Sequence, residues 1–413
     1  MPCHVAKRTP HDELEPEDES INVSTLAYDA VVVGAGPAGA SAAYELARGG
    51  ARVLLLEKER LPRYKPCGGG VTPRARAVSP LASSVLPGVG EAQTDTILLA
   101  HGERTISGRV LAPLVMVMRD RFDAALAAAA VAAGAELRDG TVLTGLERTS
   151  AGLRLVAGGE AIATRYIIGA DGAAGMTARL AGFAPVTDHG ASAIEVELAV
   201  SAAIQARYAT TTLINLAAAP GGYGWVFAKG DHLSVGVAGF LPGGRRALRA
   251  NLDRFLGRYP DLQEGRALLR RGHVIPLVGQ RTTRQRGPVV LAGDAAGLAD
   301  PLTGEGISYA LVSGHRAGVA VLDALHEMPG ALPRYDRFVD RTLGRDLRYA
   351  RAFAALAYRY PGPLMRVLAR SADAQGAAAS AIGGALSYRT LLARLATEAP
   401  SLLRYPNAAD PRR

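Results

Sequence analysis

The six residues Gly34-Ala35-Gly36-Pro37-Ala38-Gly39 constrain the fold of this chain more than any other sequence feature. An apolar run rich in β-branched residues precedes them, and a helical stretch follows. In such a strand-to-helix turn Gly34 permits the tight bend, Gly36 lets the backbone approach a pyrophosphate, and Gly39 lets the helix pack closely on the strand. Glu57 ends the next apolar run, where a carboxylate accepts hydrogen bonds from an adenosine ribose. The pattern predicts a dinucleotide-binding βαβ unit and leaves NAD and FAD both open.

Two further strand-to-helix turns distinguish these cofactors. Residues 289–307 read VVLAGDAAGLADPLTGEGI, so Asp294 follows a strand and Gly306 and Ile307 precede a helix. The aspartate suits a ribityl hydroxyl, and the two backbone N–H groups suit the pyrimidine oxygens of a flavin. Asp171, in IIGADGAAGMTARL, lies in another turn of the same kind, which is the second in chain order, so the turn at 289–307 is the third. Three such turns in this order predict FAD.

Composition excludes several other protein classes. The 413 residues are 48% hydrophobic, enough for a sizeable core. Only two cysteines occur, Cys3 and Cys67, and the eight histidines form no HxH or HxxxH pair, so neither a disulfide framework nor a metal site is expected. No apolar run is long enough to span a membrane, and the polar N-terminus lacks a secretory signal. A cytoplasmic location is expected.

The net charge of +9 is unevenly distributed. Residues 1–20 carry two basic and six acidic side chains, whereas residues 331–413 carry fourteen arginines and six acidic side chains. The basic segment suits nucleic acid, an anionic membrane or a phosphorylated substrate. A high-GC genome and solvated helix faces explain it equally well.

The order of elements predicts an α/β protein. It comprises a Rossmann-type FAD-binding domain, an interleaved antiparallel-sheet substrate domain and a C-terminal helical region. The expected boundaries are 1–25 for a disordered acidic tail, 26–93, 119–188 and 272–330 for the FAD-binding domain, 94–118 and 189–271 for the substrate domain, and 331–413 for the helices.

At this point the chain resembles the geranylgeranyl reductases, within the flavoprotein fold group that also contains aromatic-ring hydroxylases and halogenases. The resemblance covers roughly residues 28–330 and is carried by the turns above, by KPCGGG at 65–70 and by YGWVF at 223–227. It implies that Tyr223 and Trp225 line a substrate cavity. It implies FAD contacts from Ala38, Glu57, Cys67, Gly68, Gly70, Arg121, Val142, Asp294, Gly306 and Ile307. The predicted cofactor residues also include Gly34, Gly36, Gly39, Lys58 and Asp171.

The residues themselves favour this assignment less sharply. Trp225 is the only tryptophan and lies two positions from both Tyr223 and Phe227, so the three side chains share one strand face. Such an aromatic stripe usually packs a core, and the family motif is what favours a substrate-binding role. Cys67 is either a small residue tolerated beside a flavin or a proton donor. Arg63 and Lys65 are candidates for phosphate or reduced-flavin contacts, or ordinary surface charges.

The expected activity is hydrogenation of isolated C=C bonds in an isoprenoid chain, with Cys67, Tyr223 and Trp225 as catalytic candidates. NADPH or reduced ferredoxin would donate electrons transiently, since no second strand–GxGxxG–helix unit appears. The expected partners are a polyprenyl substrate, an anionic membrane surface and ferredoxin, and no nucleic acid. Alternatives are a flavin monooxygenase or halogenase, a non-redox cyclase, and a prenyl-binding carrier.

Overall fold

The computed structural model describes residues 27–184, 190–241, 246–277 and 282–404. The predicted acidic tail, residues 1–25, lies outside these ranges. None of the helices within them is long and apolar enough to cross a lipid bilayer.

The described residues form two eight-stranded sheets and a helical C-terminal region, which confirms the predicted fold class. The strands are β1 Tyr28–Val33, β2 Val53–Leu56, β3 Gly70–Val71, β4 Gly90–His101, β5 Arg104–Val117, β6 Glu136–Arg138, β7 Leu143–Thr149, β8 Gly152–Ala157, β9 Glu160–Gly169, β10 Ala191–Ala199, β11 Thr211–Asn215, β12 Gly222–Ala228, β13 Leu233–Gly239, β14 Arg266–Ile275, β15 Gln285–Arg286 and β16 Val289–Leu291. The helices are α1 Pro37–Arg48, α2 Pro73–Val78, α3 Pro80–Val89, α4 Arg119–Ala132, α5 Thr177–Leu180, α6 Ala202–Tyr208, α7 Leu248–Arg258, α8 Pro260–Gln263, α9 Ile307–Leu325, α10 Ala331–Phe338, α11 Arg345–Arg359, α12 Pro361–Leu368, α13 Ala372–Ile382 and α14 Tyr388–Arg404.

The first sheet has a parallel centre in the order β16-β9-β1-β2-β6, with β15, β8 and β7 joined antiparallel. Val31 pairs with Leu54 on one side and Ile167 on the other, and all three are fully buried. Central strands are apolar throughout because helices cover both faces of such a sheet. Helices α1 and α9 cross at close range: a Cβ atom added to Gly314 would lie 2.0 Å from the Ala38 carbonyl oxygen.

The second sheet has the order β14-β10-β13-β12-β11-β4-β5-β3. One face, with Val226 and Val235 at its centre, packs on Phe255 of α7. The opposite face carries Tyr223 and Trp225 and packs on the C-terminal helices. Because successive residues of a strand alternate between faces, β12 contributes to both layers.

Three tyrosines of the C-terminal region bond to the chain around the third strand-to-helix turn. The Tyr335 hydroxyl donates to the Leu291 carbonyl at 2.6 Å, and the Tyr388 hydroxyl donates to Asp300 Oδ2 at 2.7 Å. The Tyr358 hydroxyl donates to the Leu302 carbonyl. The C-terminal helices are therefore tied to the same segment as the predicted cofactor loop.

The sheet boundaries differ slightly from those expected. Strand β4 begins at Gly90 rather than near residue 94, and β14 extends the second sheet to Ile275 rather than residue 271. The two-residue β3 adds an edge to the second sheet from within the segment assigned to the FAD-binding domain. The predicted hairpin turn at 229–232 is present, with the Lys229 N–H donating to the His232 carbonyl at 2.8 Å.

We expect Gly39→Ala to destabilise the protein by about 1–3 kcal/mol or more, because the new Cβ atom would lie 1.7 Å from the Gly34 carbonyl oxygen. Thermal unfolding measures the effect. Gly257→Ala in α7 is the control, since no atom lies within 4 Å of its added Cβ. Alanine favours helices, so this control should change the free energy of unfolding by no more than about 1 kcal/mol, towards greater stability. Equal unfolding temperatures for the two variants would contradict the close packing.

Candidate active site

The three strand-to-helix turns lie side by side at the carboxyl ends of adjacent parallel strands. The Ala170 N–H donates to the Val33 carbonyl at 2.8 Å, and the Ala292 N–H donates to the Gly169 carbonyl at 2.9 Å. Ligands of open α/β sheets bind at this edge. The structure thus brings together turns that lie more than 100 residues apart in the sequence.

The first turn has the geometry of an anion site. Gly34 has φ of 101°, a left-handed conformation that favours glycine, and its added Cβ would lie 2.5 Å from the Ala170 carbonyl oxygen. Gly36 precedes α1 without any side-chain cap, and Pro37 occupies the first helical turn. The N-terminus of this twelve-residue helix therefore presents unsatisfied N–H groups and a positive dipole end.

Glu57 lies beside this turn as predicted. Its Oε2 accepts the Ala35 N–H at 3.0 Å and is 3.4 Å from Arg63 Nη2. Arg63 Nη1 donates to Asp123 Oδ2 at 2.9 Å. The same guanidinium lies over the glycine turn, 3.7 Å from where a Cβ on Gly36 would stand. Two buried carboxylates therefore hold Arg63 over the turn where a pyrophosphate would bind.

A second arginine balances the buried charge of Asp123. Arg119 donates to both Asp123 oxygens at 2.8 Å, and both side chains are buried. Burial acts to raise the pKa of Asp123, but Arg119 and Arg63 outweigh it and hold that pKa below its usual value. Arg119 also interacts with Cys67. It precedes Arg121 in the same helix, and sequence reasoning missed it because both arginines fit the helical pattern.

The third turn faces Lys65. Lys65 Nζ lies 3.4 Å from Asp294 Oδ2, and a Cβ on Gly306 would lie 3.2 Å from Asp294 Oδ1. Gly306 precedes α9 without a side-chain cap of its own, while Glu305 accepts the Ser308 N–H at 2.6 Å. Burial raises the pKa of Glu305 to about 7. Asp294, Gly306 and Ile307 are brought together as predicted.

The glycine-rich loop at 67–70 packs on the second sheet. The Cys67 N–H donates to Glu195 at 2.8 Å, and its sulfur accepts the Gly69 N–H at 3.3 Å. A Cβ on Gly68 would lie 2.6 Å from the Phe227 ring. The loop therefore needs glycine because it rests directly on an aromatic side chain.

Lys229 is hydrogen-bonded to this loop. The sequence analysis did not assign this lysine a role. Its ammonium donates to the Gly68 carbonyl at 2.6 Å and the Val117 carbonyl at 2.9 Å, and the side chain is fully buried. Burial lowers the pKa of Lys229, while nearby Glu197 and Cys67 act to raise it. Lysine is rare in this chain, and its presence at a hairpin turn was the sequence signal from which a role for Lys229 could have been inferred.

The aromatic stripe lies on one face of β12, as predicted. Ring centroids are 6.0 Å apart between Tyr223 and Trp225 and 6.2 Å apart between Trp225 and Phe227. The indole covers Gly236, whose added Cβ would lie 2.2 Å from it. The Tyr223 hydroxyl donates to the Thr303 carbonyl, just before the cofactor loop.

An apolar cavity of about 40 Å³ lies beside Tyr223, between the second sheet and the C-terminal helices. Its wall combines residues from β4, β11 and β12 with the 302–303 segment and helices α11, α12 and α13. The lining residues are Leu99, Ile214, Leu216, Tyr223, Leu302, Thr303, Phe353, Ala357, Tyr358, Leu364, Leu368, Ala378 and Ile382. Trp225 is outside this lining and packs behind Tyr223.

Four predicted cofactor residues lie at the margin of the site. Lys58 is 68% exposed and pairs with Glu59, and Arg121 is 58% exposed and pairs with Glu91 at 2.9 Å. Val142 is exposed. It follows Thr141, whose N–H donates to the Glu57 carbonyl. Asp171 accepts the Thr177 N–H at 2.8 Å, which caps α5, and its other oxygen has no hydrogen-bond partner.

Comparison with known proteins identifies the family. The model of the FAD binding domain matches residues 27–225. The geranylgeranyl diphosphate reductase of Rhodobacter capsulatus is 32% identical over 319 residues, which cover 72% of this chain and 75% of that protein. This chain belongs to the geranylgeranyl reductase family. Digeranylgeranylglycerophospholipid reductase 1 of Methanopyrus kandleri is 30% identical and covers 76% of the chain and 86% of its own length.

The fold agrees with that of a solved relative. A geranylgeranyl bacteriochlorophyll reductase-like protein from Thermoplasma acidophilum superposes with a TM-score of 0.72 at 24% identity, covering 92% of this chain and 98% of its own. The FAD-binding domain and the reductase relatives together show that the protein is an FAD-dependent oxidoreductase of this family. The first turn fits FAD because its glycines exclude side chains while Arg63 and the α1 N-terminus supply positive charge.

We expect Arg63→Gln to weaken FAD binding about 10- to 100-fold, because it removes one charge-assisted contact of about 1.5–3 kcal/mol. The dissociation constant of FAD, measured by flavin fluorescence with the FAD-free protein, checks this. Arg60→Gln removes an exposed arginine from the same loop and is the matched control, with unchanged affinity expected. Equal FAD affinities of the two variants would show that Arg63 does not contribute to FAD binding.

Proposed function

We propose that this reductase hydrogenates isolated C=C bonds of a polyprenyl chain. The observation that carries the proposal is the position of the apolar cavity. Leu302 and Thr303 form part of its wall, and they lead directly into Gly306 and Ile307 of the flavin turn. An alkene in the cavity would therefore lie against the cofactor while its chain stays out of water.

The cavity must widen to accept such a chain. Its volume of about 40 Å³ holds one or two water-sized groups, far less than a twenty-carbon chain. The part of the wall best able to move is formed by α11, α12 and α13, since the rest belongs to the second sheet and to the segment that leads into the flavin turn. At roughly 25 cal/mol per Å², burial of the prenyl surface would offset the cost of that opening.

The chain's own residues supply orientation and charge around the alkene. FAD, when bound and reduced, supplies the hydride. Tyr223 fixes the flavin-side segment through its bond to Thr303 and forms part of the cavity wall. Cys67 is the proton donor in this proposal, and its loop lies against Phe227. Trp225 supports Tyr223, and this aromatic surface would stabilise a developing tertiary cation by roughly 1–2 kcal/mol.

Helix α11 links the cavity to the outer surface. Its inner face contributes Phe353 and Tyr358 to the cavity. Its outer face exposes Leu356 beside several arginines, and the exposed Tyr360 follows directly after its last residue. Apolar and basic side chains on one face suit the surface of an anionic membrane, where a polyprenyl lipid would be collected. NADPH or reduced ferredoxin would donate the electrons.

The decisive experiment is anaerobic incubation of the photoreduced protein with geranylgeranyl diphosphate, a chlorophyll ester and a menaquinone. Mass spectrometry should find a gain of two hydrogens for each reduced bond in at least one product. An isomer of unchanged mass would indicate a cyclase, and substrate-dependent oxygen consumption in air without saturation would indicate a monooxygenase. Either result would overturn the proposal.

We expect Trp225→Leu to lower turnover on a long prenyl substrate by about tenfold or more, since it removes roughly 1–2 kcal/mol of cation stabilisation and loosens Tyr223. Phe255→Leu on the opposite face of the same sheet is the control for a lost buried aromatic ring. Steady-state kinetics at equal FAD loading compare the two. Full turnover by the tryptophan variant would refute its assigned role.

We expect the protein to float with anionic vesicles and not with neutral ones at low salt, because each arginine near such a surface contributes about 1 kcal/mol. Replacing Arg345, Arg351 and Arg359 of α11 together with glutamine should reduce binding about tenfold or more. The control triple variant carries glutamine at Arg249, Arg254 and Arg258 of α7. Equal flotation with both vesicle types would exclude membrane attraction by charge.

A further inference from the structure

Two buried glutamates lie on the substrate sheet, apart from the aromatic cavity. Glu195 and Glu197 of β10 are 3% and 4% exposed. In the strand register Glu195 lies opposite Gly236, and Gly236 lies opposite Trp225. The acid pair, Glu195 and Glu197, therefore shares the sheet face that carries the aromatic stripe. Two carboxylates buried together are costly unless they share protons.

Tyr64 connects the acid pair. Its hydroxyl lies 2.9 Å from Glu195 Oε1 and 3.1 Å from Glu197 Oε1. A phenol has one proton, so it donates to one carboxylate and can accept only from the other. Burial together with the charge of Glu197 raises the pKa of Glu195. Both contacts of the Tyr64 hydroxyl are hydrogen bonds only when the two glutamates together hold one proton besides that of the phenol.

The contacts of Tyr64 and the acid pair form a line of polar side chains, and the outer end of this line reaches solvent. Glu197 Oε2 lies 3.2 Å from His232 Nε2, and His232 Nδ1 lies 2.6 Å from Asp231 Oδ1. Asp231 is 91% exposed. Burial acts to lower the pKa of His232, but Glu197 and Asp231 outweigh it and raise that pKa. An imidazolium is therefore favoured between solvent and the acid pair.

The inner end reaches the Cys67 loop. Glu195 Oε1 accepts the Cys67 N–H at 2.8 Å. Its other oxygen lies 3.4 Å from the Ser234 hydroxyl, which accepts the Trp225 indole N–H at 3.3 Å. Hydrogen-bonded and ion-pair contacts thus join Asp231 at the surface to the segment beside the flavin site.

Other charged groups face this line. Lys229 interacts with both glutamates and with Cys67, and Glu91 acts on Lys229 in turn. Arg121 pairs with Glu91 and acts on Asp231. Arg119 interacts with Cys67 from the other side. Positive charge therefore lies close to both carboxylates and offsets part of the cost of burying them.

We propose that His232, Glu197, Tyr64 and Glu195 form a proton relay that carries protons from solvent to Cys67. The inference rests on the proposed function, because each alkene reduction consumes one proton. Reduced FAD provides the hydride and both electrons for one C–H bond, and the Cys67 S–H proton forms the other. The thiolate then regains a proton from Glu195, which is reprotonated in turn by Tyr64, Glu197, the His232 imidazolium and solvent.

Infrared titration of the oxidised FAD-bound protein tests the relay without turnover, with Glu305→Gln added to every protein compared, the wild type included, because Glu305 is another glutamate of raised pKa. Between about pH 5 and about pH 9 the wild type should show a protonated-carboxyl band that persists above the ordinary glutamate range, near pH 4. Glu195→Gln and Glu197→Gln should each remove it. Glu45→Gln, which breaks a carboxylate–histidine pair between α1 and α9, should retain it. A wild type without the band, or a band that survives in both acid-pair variants, would overturn the relay.

Steady-state kinetics test its use, because Cys67 must regain a proton before each further turnover. Tyr64→Phe should slow alkene reduction about tenfold or more and enlarge the solvent isotope effect, with the apparent substrate affinity unchanged. Tyr208→Phe, which removes a tyrosine–aspartate bond on the opposite sheet face, is the control. In the wild type the rate should fall as the pH rises through the pKa of His232, since only the imidazolium supplies the relay. An unchanged rate and pH profile in the Tyr64 variant would refute it.

The two failures are distinguishable. If the wild type saturates no alkene, the proposed function fails, while the infrared titration still decides whether the shared proton exists. If the wild type reduces alkenes and the Tyr64 variant matches it, the proposed function stands and the relay falls.

Discussion

Close backbone contact at the carboxyl edge of the first sheet is the constraint on which the rest of this structure depends. Gly39 lets α1 approach the Gly34 carbonyl, and Gly314 lets α9 approach Ala38. A Cβ atom at Gly39 would push α1 away from the turn that follows β1, and one at Gly314 would push α9 away from α1. These contacts bring the first and third turns to one edge of the sheet. The position of the cofactor site is therefore set by backbone packing, independently of its polar side chains.

Buried charges complete the site once this packing is set. Asp123 is fully buried and would be costly alone, but Arg119 and Arg63 neutralise it. The surplus positive charge of Arg63 faces the glycine turn, where a pyrophosphate would replace part of its pairing with Glu57. A buried ion pair contributes little net stability, so the arrangement is better explained by positioning a cation for the cofactor.

Local sequence patterns predicted the features that depend on nearby residues. The glycine turn, Glu57, the 229–232 hairpin and the shared face of the β12 aromatics all follow from spacing and alternation. Long-range features were not predictable in this way. Whether Arg119 or Arg121 faces the site depends on how α4 is rotated against Asp123 and Glu91, and both rotations fit the sequence. The contacts of Lys229 and of the C-terminal tyrosines join segments more than forty residues apart.

The C-terminal helices connect substrate entry with the flavin turn. Tyr358 on α11 bonds to Leu302, and Tyr388 on α14 bonds to Asp300, whose backbone N–H donates to the Glu305 carbonyl. Any opening of the cavity that moves α11 must therefore stretch or break a bond to the segment that precedes the flavin turn. Because the same segment lines the cavity, entry of the proposed polyprenyl substrate would be mechanically linked to the position of the cofactor loop. A cavity this narrow and this tightly bonded stays closed to water until a chain with enough apolar surface displaces the helices.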